Sequence, residues 1–300
     1  MSPEDQRAYD SLELRIQTIL PEQYQDCYDE VEPVSMGSAG LKYGKDGKVA
    51  WQDIWKHFCD LAMAGGPPHK GKLLLPATPL EIQADPDRYT QVVEEICRGI
   101  KLVTFLESAP AEAPGWIRVE CTTEGAAGWL ARAIVMENVS ARCEGTGLYV
   151  PAGPNYRIEK EVKNVITSMA KTCHYWMDHM WAAQQRIIGD LFQTIAKESP
   201  LIQPTTEADD ALRTHLTNRL RDELGMEVAE TQTPGWLNLP CPTIKSAIWL
   251  MRALVVANVM SRREETHLCL PLNPTTDPQG DHVLQALKKT LAFASAQGVM

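Results

Sequence analysis

The sequence has no long hydrophobic run, and positive charge is in the minority. No segment approaches the ~18–20 uninterrupted apolar residues that a membrane-spanning helix needs. The chain carries 29 Lys and Arg against 39 Asp and Glu, a formal net charge of −10. Because such a surface repels a phosphate backbone, nucleic acid is not expected as a partner. The opening residues MSPEDQRAYD are polar and acidic, unlike a secretory signal, so we expect a cytoplasmic protein with no membrane partner.

The sequence also lacks the short motifs that mark common catalytic and binding sites. It contains no GxxxxGKS/T, GxGxxG, HExxH, GxSxG, DFG or EF-hand pattern, so the usual signatures of nucleotide, metalloprotease, hydrolase, kinase and calcium sites are missing. None of the eight cysteines forms a CxxC pair. Their spacing fits neither a disulfide framework nor a zinc knuckle, so most are expected to be buried thiols. The sequence assigns no cofactor.

One stretch is present twice: RAIVMENVSAR at 132–142 returns as RALVVANVMSR at 252–262. When the chain is aligned with itself at an offset of 120 positions, residues 114–154 match residues 234–274 without a gap. Rare residue types match in register, including Trp116/Trp236, Cys121/Cys241, Trp129/Trp249, Asn138/Asn258 and Pro151/Pro271. These matches predict that a duplication produced structurally similar units.

Each repeated stretch predicts a strand, a helix and a second strand. GWIRVEC at 115–121 alternates in polarity, Thr122 or Thr123 can cap the helix that follows, and Asn138 stands where that helix should end. The tail that ends in proline is typical of a second strand, and a further helix follows it. We therefore predict an α+β fold: two to three repeated β-α-β-α units form one or more sheets covered by helices, with an inserted long helical hairpin.

A diverged first copy is predicted upstream, because LLLPATP at 73–79 shares the L-x-x-P-x-x-P pattern of LYVPAGP and LCLPLNP. Whether this region is a true third repeat stays open. The predicted organisation is an N-terminal helical segment at 1–34, a diverged first α/β unit at 35–112, a second unit at 113–157, a helical insertion at 158–232 and a third unit at 233–300.

Within the insertion, residues 158–199 predict one long helix with an apolar stripe, because their apolar residues mostly step by three and four positions. Pro200 and Pro204 interrupt it, and a second helix is predicted near 206–224, ended by Gly225. At ~1.5 Å per residue the first helix would span about 60 Å, longer than a small domain. We therefore expect a homo-oligomer that forms through 158–199. The alternative is that the stripe packs on the protein's own sheet.

Cys121 and Cys241 are the candidate catalytic residues. Each ends a predicted strand and precedes a helix, in ECTTEG and PCPTIKS. A thiol in this place faces unpaired N–H groups and the positive end of the helix dipole, and both favour the nucleophilic thiolate. The alternative is a buried thiol that both copies inherited.

Basic residues are the candidates for binding a small anion. They are Arg132, Arg252, Arg142, Arg262, His69 and Lys70. The four arginines are repeated between the copies, whereas the other two belong to the irregular loop AMAGGPPHKGK, which could hold a carboxylate or phosphate. The alternatives are ion pairs between the arginines and the glutamates at 144 and 264, and an ordinary solvent-exposed loop.

No metal site is expected. CHYWMDHMW at 173–181 places His174 and Asp178 on one helical face, with His179 on an adjacent stripe, but no metal-binding pattern accompanies them. These three residues are the candidate ligands if a metal is bound. The alternative is a packing patch around Trp176 and Trp181.

The sequence therefore favours a cytosolic accessory or assembly protein that acts by self-association and by binding a protein partner or a small ligand. The alternative is an enzyme that acts on a small anionic substrate, with Cys121 or Cys241 as the nucleophile and arginine side chains binding the anion. Whether the chain is an enzyme stays open, because no catalytic signature is present.

Overall fold

The structure is a computed structural model that describes residues 2–28, 40–54, 72–207, 209–231, 233–296 and 298. The chain divides into two compact units. We call residues 31–185 the central unit, and residues 1–30 with 186–300 the terminal unit. None of the helices in the described ranges is long and apolar enough to span a bilayer.

Helices and short strands alternate along the chain. The helices are α1 (Pro3–Ile19), α2 (Pro79–Ala84), α3 (Pro86–Thr104), α4 (Glu124–Met136), α5 (Lys163–Asp178), α6 (Ala182–Glu198), α7 (Asp210–Leu224), α8 (Ile244–Val255) and α9 (Asp281–Ala296). The strands are β1 (Ser108–Pro110), β2 (Trp116–Glu120), β3 (Arg142–Glu144), β4 (Gly147–Pro151), β5 (Trp236–Pro240), β6 (Arg262–Glu264) and β7 (His267–Pro271). The fold is therefore α+β.

The central unit contains a four-stranded sheet in the order β1-β2-β4-β3, and every pair in it is antiparallel. Strand β2 buries Ile117 and Val119, and α4 packs against the β3–β4 hairpin. Helix α4 begins where the Thr123 hydroxyl accepts the N–H of Ala126 at 3.1 Å, as the sequence predicts. The chain leaves the helix at Asn138, whose φ of 60° is left-handed. Helix α5 packs on both α3 and α4.

The terminal unit contains a three-stranded antiparallel sheet in the order β5-β7-β6. Helix α8 packs against the β6–β7 hairpin and is in turn covered by α1 and α9. Its cap is Thr243, whose hydroxyl accepts the N–H of Ser246 at 3.0 Å. Asn258, with a φ of 65°, follows the helix. The local devices that begin and end α8 are thus the same as those of α4.

The predicted β-α-β-α order is wrong, because the predicted second strand is a hairpin. In each unit the strand and helix are followed by two short antiparallel strands, β3–β4 or β6–β7. The turn is tight because Gly145 and Glu265 adopt positive φ values of 54° and 50°. The order is therefore β-α-β-β, and the strands form two small antiparallel sheets.

The stretch LLLPATP contacts the chain just after helix α4. In the described residues of the central unit this stretch forms no sheet of its own: the N–H of Leu74 donates to the Asn138 carbonyl, and the N–H of Ser140 donates to the Leu74 carbonyl. Its counterpart in the terminal unit is the stretch around Ile202, which makes the same pair of bonds with Asn258 and Met260. That a third repeat covers 35–112 stays a prediction.

The single helix predicted for 158–199 is also wrong. A π-helical turn at Ile158–Val162 leads into α5, and α5 and α6 are separate helices with a break at residues 179–181. Nearly every position of α5 is buried, because α3 and α4 cover it within the same unit. Helix α7 lies against α9, joined by an ion pair of Arg219 with Asp281 at 2.6 Å. The predicted alternative was packing on the protein's own sheet, whereas α5 packs mainly on helices α3 and α4 of its own unit.

Candidate functional site

The two candidate catalytic cysteines occupy equivalent places just before a helix. Cys121 is 5% exposed and Cys241 is 8% exposed. The main-chain N–H of Cys121 donates to the Thr146 carbonyl at 3.0 Å, and that of Cys241 donates to the Thr266 carbonyl at 2.9 Å. Each cysteine is thus fixed by the turn of the hairpin that follows its helix.

The surroundings of both thiols disfavour the charged form. Burial raises the pKa of Cys121 to about 12, and the nearby Glu120 carboxylate acts in the same direction. Burial also raises the pKa of Cys241. The hydroxyl groups of Thr123 and Thr243 each accept one N–H group at the helix starts, so that donor is not available to a thiolate. The catalytic role of the two cysteines stays a prediction.

Arg132 and Arg252 occupy equivalent positions in α4 and α8 and are held differently. Arg132 is 4% exposed and donates through Nη1 to the Gly128 carbonyl at 2.8 Å. Burial lowers its pKa to about 10. The guanidinium of Arg252 lies 4.8 Å from the centre of the Tyr28 ring, and burial lowers its pKa as well. Both side chains are engaged inside their own units.

Arg142 stacks on Trp116, the first residue of β2, and Arg262 stacks on Trp236, the first residue of β5. The guanidinium of Arg142 lies 4.6 Å from the centre of the Trp116 ring, and that of Arg262 lies 4.9 Å from the centre of the Trp236 ring. Arg262 also forms an ion pair with Glu264 at 2.5 Å and is fully buried. These contacts are cation–π interactions between the hairpin and strand β2 in the central unit, and between the hairpin and strand β5 in the terminal unit. The anion-binding role of the arginines stays a prediction, and His69 and Lys70 lie outside the described residues.

His174, Asp178 and His179 come together at the end of α5. Nδ1 of His174 lies 2.5 Å from Oδ2 of Asp178. Nε2 of His174 lies 3.3 Å from Nε2 of His179, and the two rings are nearly perpendicular, with centres 5.0 Å apart. The three candidate ligands are therefore in contact. Among the described residues, however, no group of three or more His, Cys, Asp or Glu side chains is arranged to hold a metal ion.

At the end of helix α5, hydrogen bonds from nearby groups satisfy the last carbonyl groups of the helix. The N–H of His179 still donates to the Tyr175 carbonyl at 3.2 Å. The side-chain amide of Gln185 then reaches back and donates to the Trp176 carbonyl at 2.6 Å and to the Met180 carbonyl at 3.1 Å. Carbonyl groups that the helix end would leave unpaired are satisfied in this way. The positions of both histidines are consequently set by the backbone.

The same segment holds both a buried and an exposed tryptophan. Trp176 is 6% exposed and lies against Trp129, with ring centres 5.5 Å apart. Trp181 is 79% exposed and Met177 is 59% exposed. The predicted packing patch is thus present around Trp176 and does not include Trp181. We call residues 174–181 the His–Trp corner.

One buried ion pair escapes the sequence analysis. Nζ of Lys171 lies 2.8 Å from Oε1 of Glu137, and their side chains are 3% and 13% exposed. Burial raises the pKa of Glu137, although the Lys171 charge opposes the shift. The residues stand on different helices, and the equivalent of Glu137 in the other copy is Ala257. The comparison of the two copies therefore does not predict this ion pair. The one signal in the sequence is that a glutamate in the first copy is replaced by an alanine in the second.

The described residues thus bring His174, Asp178 and His179 together near the exposed Trp181 in sequence, and leave Cys121, Cys241, Arg132 and Arg262 buried. A comparison of the chain with protein-family models, with curated proteins and with solved structures finds no match.

Proposed function

We propose that this protein is a cytoplasmic accessory or assembly protein that acts by self-association and by binding a partner through the His–Trp corner. The observation that carries the proposal is the exposure of Trp181. Of the seven tryptophans that the structure describes, six are at most 7% exposed, whereas Trp181 is 79% exposed.

An exposed tryptophan is costly unless a second surface covers it. A tryptophan side chain can bury about 150–250 Å² of surface, the largest apolar contribution of any residue. Trp is also among the residues enriched in the small set that carries most of the binding energy at protein interfaces. Met177 adds a flexible apolar side chain beside it, of the kind that adapts to a partner surface. The corner is therefore suited to protein contact.

A second copy of the chain is the occupant we propose. Most soluble oligomers are homo-oligomers with two-fold symmetry, in which one surface meets itself. Such an interface would bring Trp181 and Met177 of one chain near the same residues of its partner. Because twelve of the sixteen residues of α5 are buried, we place this interface at the corner and not along α5.

We also infer that the two units descend from one duplicated module. The inference is supported by matched helix caps at Thr123 and Thr243, and by matched positive φ values at Asn138 and Asn258. It is supported as well by the equivalent bonds that Leu74 and Ile202 make. The His–Trp corner at residues 174–181 lies outside the repeated stretches 114–154 and 234–274.

Sedimentation velocity over a range of protein concentrations tests the self-association. We expect a reversible dimer in the wild-type chain and a Trp181→Ser variant whose dissociation constant is about 30-fold higher, the effect of losing roughly 2 kcal/mol at a central contact. Leu80→Ser is the matched control, because Leu80 is 77% exposed and lies on α2, away from the corner in sequence. A wild-type chain that stays monomeric at every concentration would contradict the proposal.

Thiol labelling tests the enzymatic alternative, in which Cys121 or Cys241 is a nucleophile. Because burial raises the pKa of both thiols, we expect them to react with an alkylating reagent at pH 8 at least about 100-fold more slowly than in the unfolded chain. The partly exposed Cys27 serves as the internal control. Rapid modification of Cys121 or Cys241 below pH 8 would instead favour the enzyme.

A further inference from the structure

Arg252 of helix α8 carries a buried hydrogen-bond donor that has no acceptor in the part of the chain that the structure describes. The donor is its Nη1 atom, which is covered and makes no hydrogen bond. The matched arginine of the other unit differs at this point, because Nη1 of Arg132 donates to the Gly128 carbonyl at 2.8 Å. A buried charged donor without an acceptor destabilises the folded state. The Nη1 atom of Arg252 therefore needs an acceptor from elsewhere.

The ring of Tyr28 covers one face of the Arg252 guanidinium. The Cζ atom of Arg252 lies 4.8 Å from the centre of that ring. A cation–π contact of this kind uses the flat face of the guanidinium, whereas its N–H groups point outwards in the plane. Arg252 and Tyr28 are both half-buried, so the pair lies close to the surface of the terminal unit.

The acidic residue nearest in its effect on Arg252 is already bound by other groups. This residue is Glu13 of α1, whose Oε1 accepts the Tyr9 hydroxyl at 2.9 Å and the Trp249 indole N–H at 2.7 Å. Burial lowers the pKa of Arg252, and the Glu13 carboxylate opposes this shift less than other neighbouring groups do. The charge of Arg252 is thus only partly compensated within the terminal unit, which favours the binding of an anion.

We propose that Arg252, with Tyr28 on its face, binds the carboxylate of a small organic anion in the terminal unit. A carboxylate presents two coplanar oxygens that match the two-donor edge of a guanidinium. One negative charge suits the site better than the two of a phosphate, because Glu13 and the net charge of −10 oppose more negative charge. Binding requires a small rearrangement of the two half-buried side chains, since Nη1 is covered. The site does not depend on the self-association proposed above.

Titration of the full chain with acetate, in a buffer without other carboxylates or phosphate, tests this site. Nuclear magnetic resonance follows the indole N–H signal of Trp249, which stands one helical turn before Arg252 and is bonded to Glu13. The signal is assigned with Trp249→Phe. We expect a saturable shift in the wild-type chain and none in Arg252→Met. Arg252→Lys should weaken acetate binding at least about 10-fold, because an ammonium group cannot present two parallel donors.

Arg132→Met is the matched control, because Arg132 is the equivalent arginine and its Nη1 already has an acceptor. This variant should keep the full response to acetate. Thermal unfolding gives a second measurement: acetate should raise the midpoint of the wild type and of Arg132→Met, and should not raise that of Arg252→Met. Arg252→Met is expected to fold, because removal of this donor leaves no buried acceptor unpaired.

Three results would contradict the carboxylate site. A wild-type chain with no saturable response to acetate overturns it, and so does a response that Arg252→Met leaves unchanged. Inorganic phosphate that binds through Arg252 as tightly as acetate overturns the assignment to a singly charged carboxylate. The proposed function is tested separately: a chain that binds acetate and stays monomeric contradicts the self-association alone, and a dimer that does not bind acetate contradicts this site alone.

Discussion

After helix α4 of the central unit the chain carries Glu137, which is paired with Lys171 inside the protein. After helix α8 of the terminal unit the same position is Ala257, and no charge is placed there. Around these positions the two units agree closely in the glycine before the first strand, the threonine that caps the helix and the asparagine that follows it. The backbone devices are thus shared, and the buried Glu137–Lys171 ion pair is not.

The helix that follows the hairpin differs most between the two units. Helix α9 is an ordinary amphipathic helix, and the Asp277 carboxylate accepts the N–H groups of His282 and Val283 near its start. Helix α5 instead begins after a π-helical turn, is buried at nearly every position and ends at the His–Trp corner. The two helices therefore differ in how they begin and in how much of them is buried, and α5 leads into the surface that we propose to be functional.

The largest expected effect comes from breaking the buried pair of the central unit. Removing one member takes the ion-pair partner from the other, which stays buried, so Lys171→Met and Glu137→Leu should each lower the free energy of unfolding by about 3–5 kcal/mol. The double variant should lose much less, because no buried charge remains. Denaturation by urea measures all three variants. If the single and double variants were equally destabilised, the pair would not be coupled as described.

The loss of stability in the Lys171→Met variant should depend on pH. Burial holds the pKa of Glu137 above its ordinary value of 4.5, and Lys171 is the group that opposes this rise. In Lys171→Met the folded pKa should rise further, and the protonated carboxyl is then the form that the folded state favours. The stability that the protonated Glu137 carboxyl contributes is fully present below the pKa of this group in the unfolded chain. It is lost as the pH rises through the pKa of the same group in the folded chain. The deficit of Lys171→Met should therefore shrink as the pH is lowered towards 4.5.

The next largest effect is a loss of stability on replacing one glycine, and it should be equal in the two units. Gly115 and Gly235 have φ values of +81° and +71°, and a Cβ would lie 2.3 Å from the Ala77 carbonyl oxygen or 2.0 Å from that of Thr205. Replacement of either glycine by alanine should cost about 3 kcal/mol, because both strain and a backbone clash result. Gly145→Ala is the control, since its surroundings are open, and it should cost about 1 kcal/mol. If alanine were tolerated at only one of these two glycines, the two units would not be equivalent at this position.

A smaller effect should differ between the units. Arg262 is fully buried with Glu264 as its ion-pair partner, whereas Arg142 is half-buried and stacks between Trp116 and Tyr149. Arg262→Met should cost about 2 kcal/mol and Arg142→Met about 1 kcal/mol in thermal or chemical denaturation. The reverse order would show that burial does not govern these two contacts.

The smallest expected effect concerns the residue after each helix. Asn138 and Asn258 have positive φ values, which asparagine tolerates better than most residues and glycine adopts freely. Substitution by alanine should cost about 1 kcal/mol at each site, and substitution by glycine should cost less. Thermal unfolding of the four variants measures the difference. An alanine variant as stable as the wild type would argue against strain at that position.

The sequence predicts much of the local structure and little of the long-range packing. The Thr123 cap, the helix after it and the end at Asn138 follow from residue preferences within a few positions. The hairpin was missed because β3 and β6 are only three residues long, too short for alternation to be visible. The break after α5 was missed because its cause is a side-chain bond from Gln185, nine residues after Trp176. The contact of His174 with His179 could be predicted only in part. The helix fixes the position of His174, whereas the position of the His179 ring depends on the turn after the helix.

Oxidative footprinting of Trp181 by hydroxyl radicals, measured by mass spectrometry over a range of protein concentrations, tests the central claim most directly. If two copies meet at the His–Trp corner, oxidation of Trp181 should fall several-fold as the concentration passes the dissociation constant, while oxidation of Leu80 on α2 stays constant. Oxidation of Trp181 that does not change with concentration, in a chain shown to associate, would contradict the account.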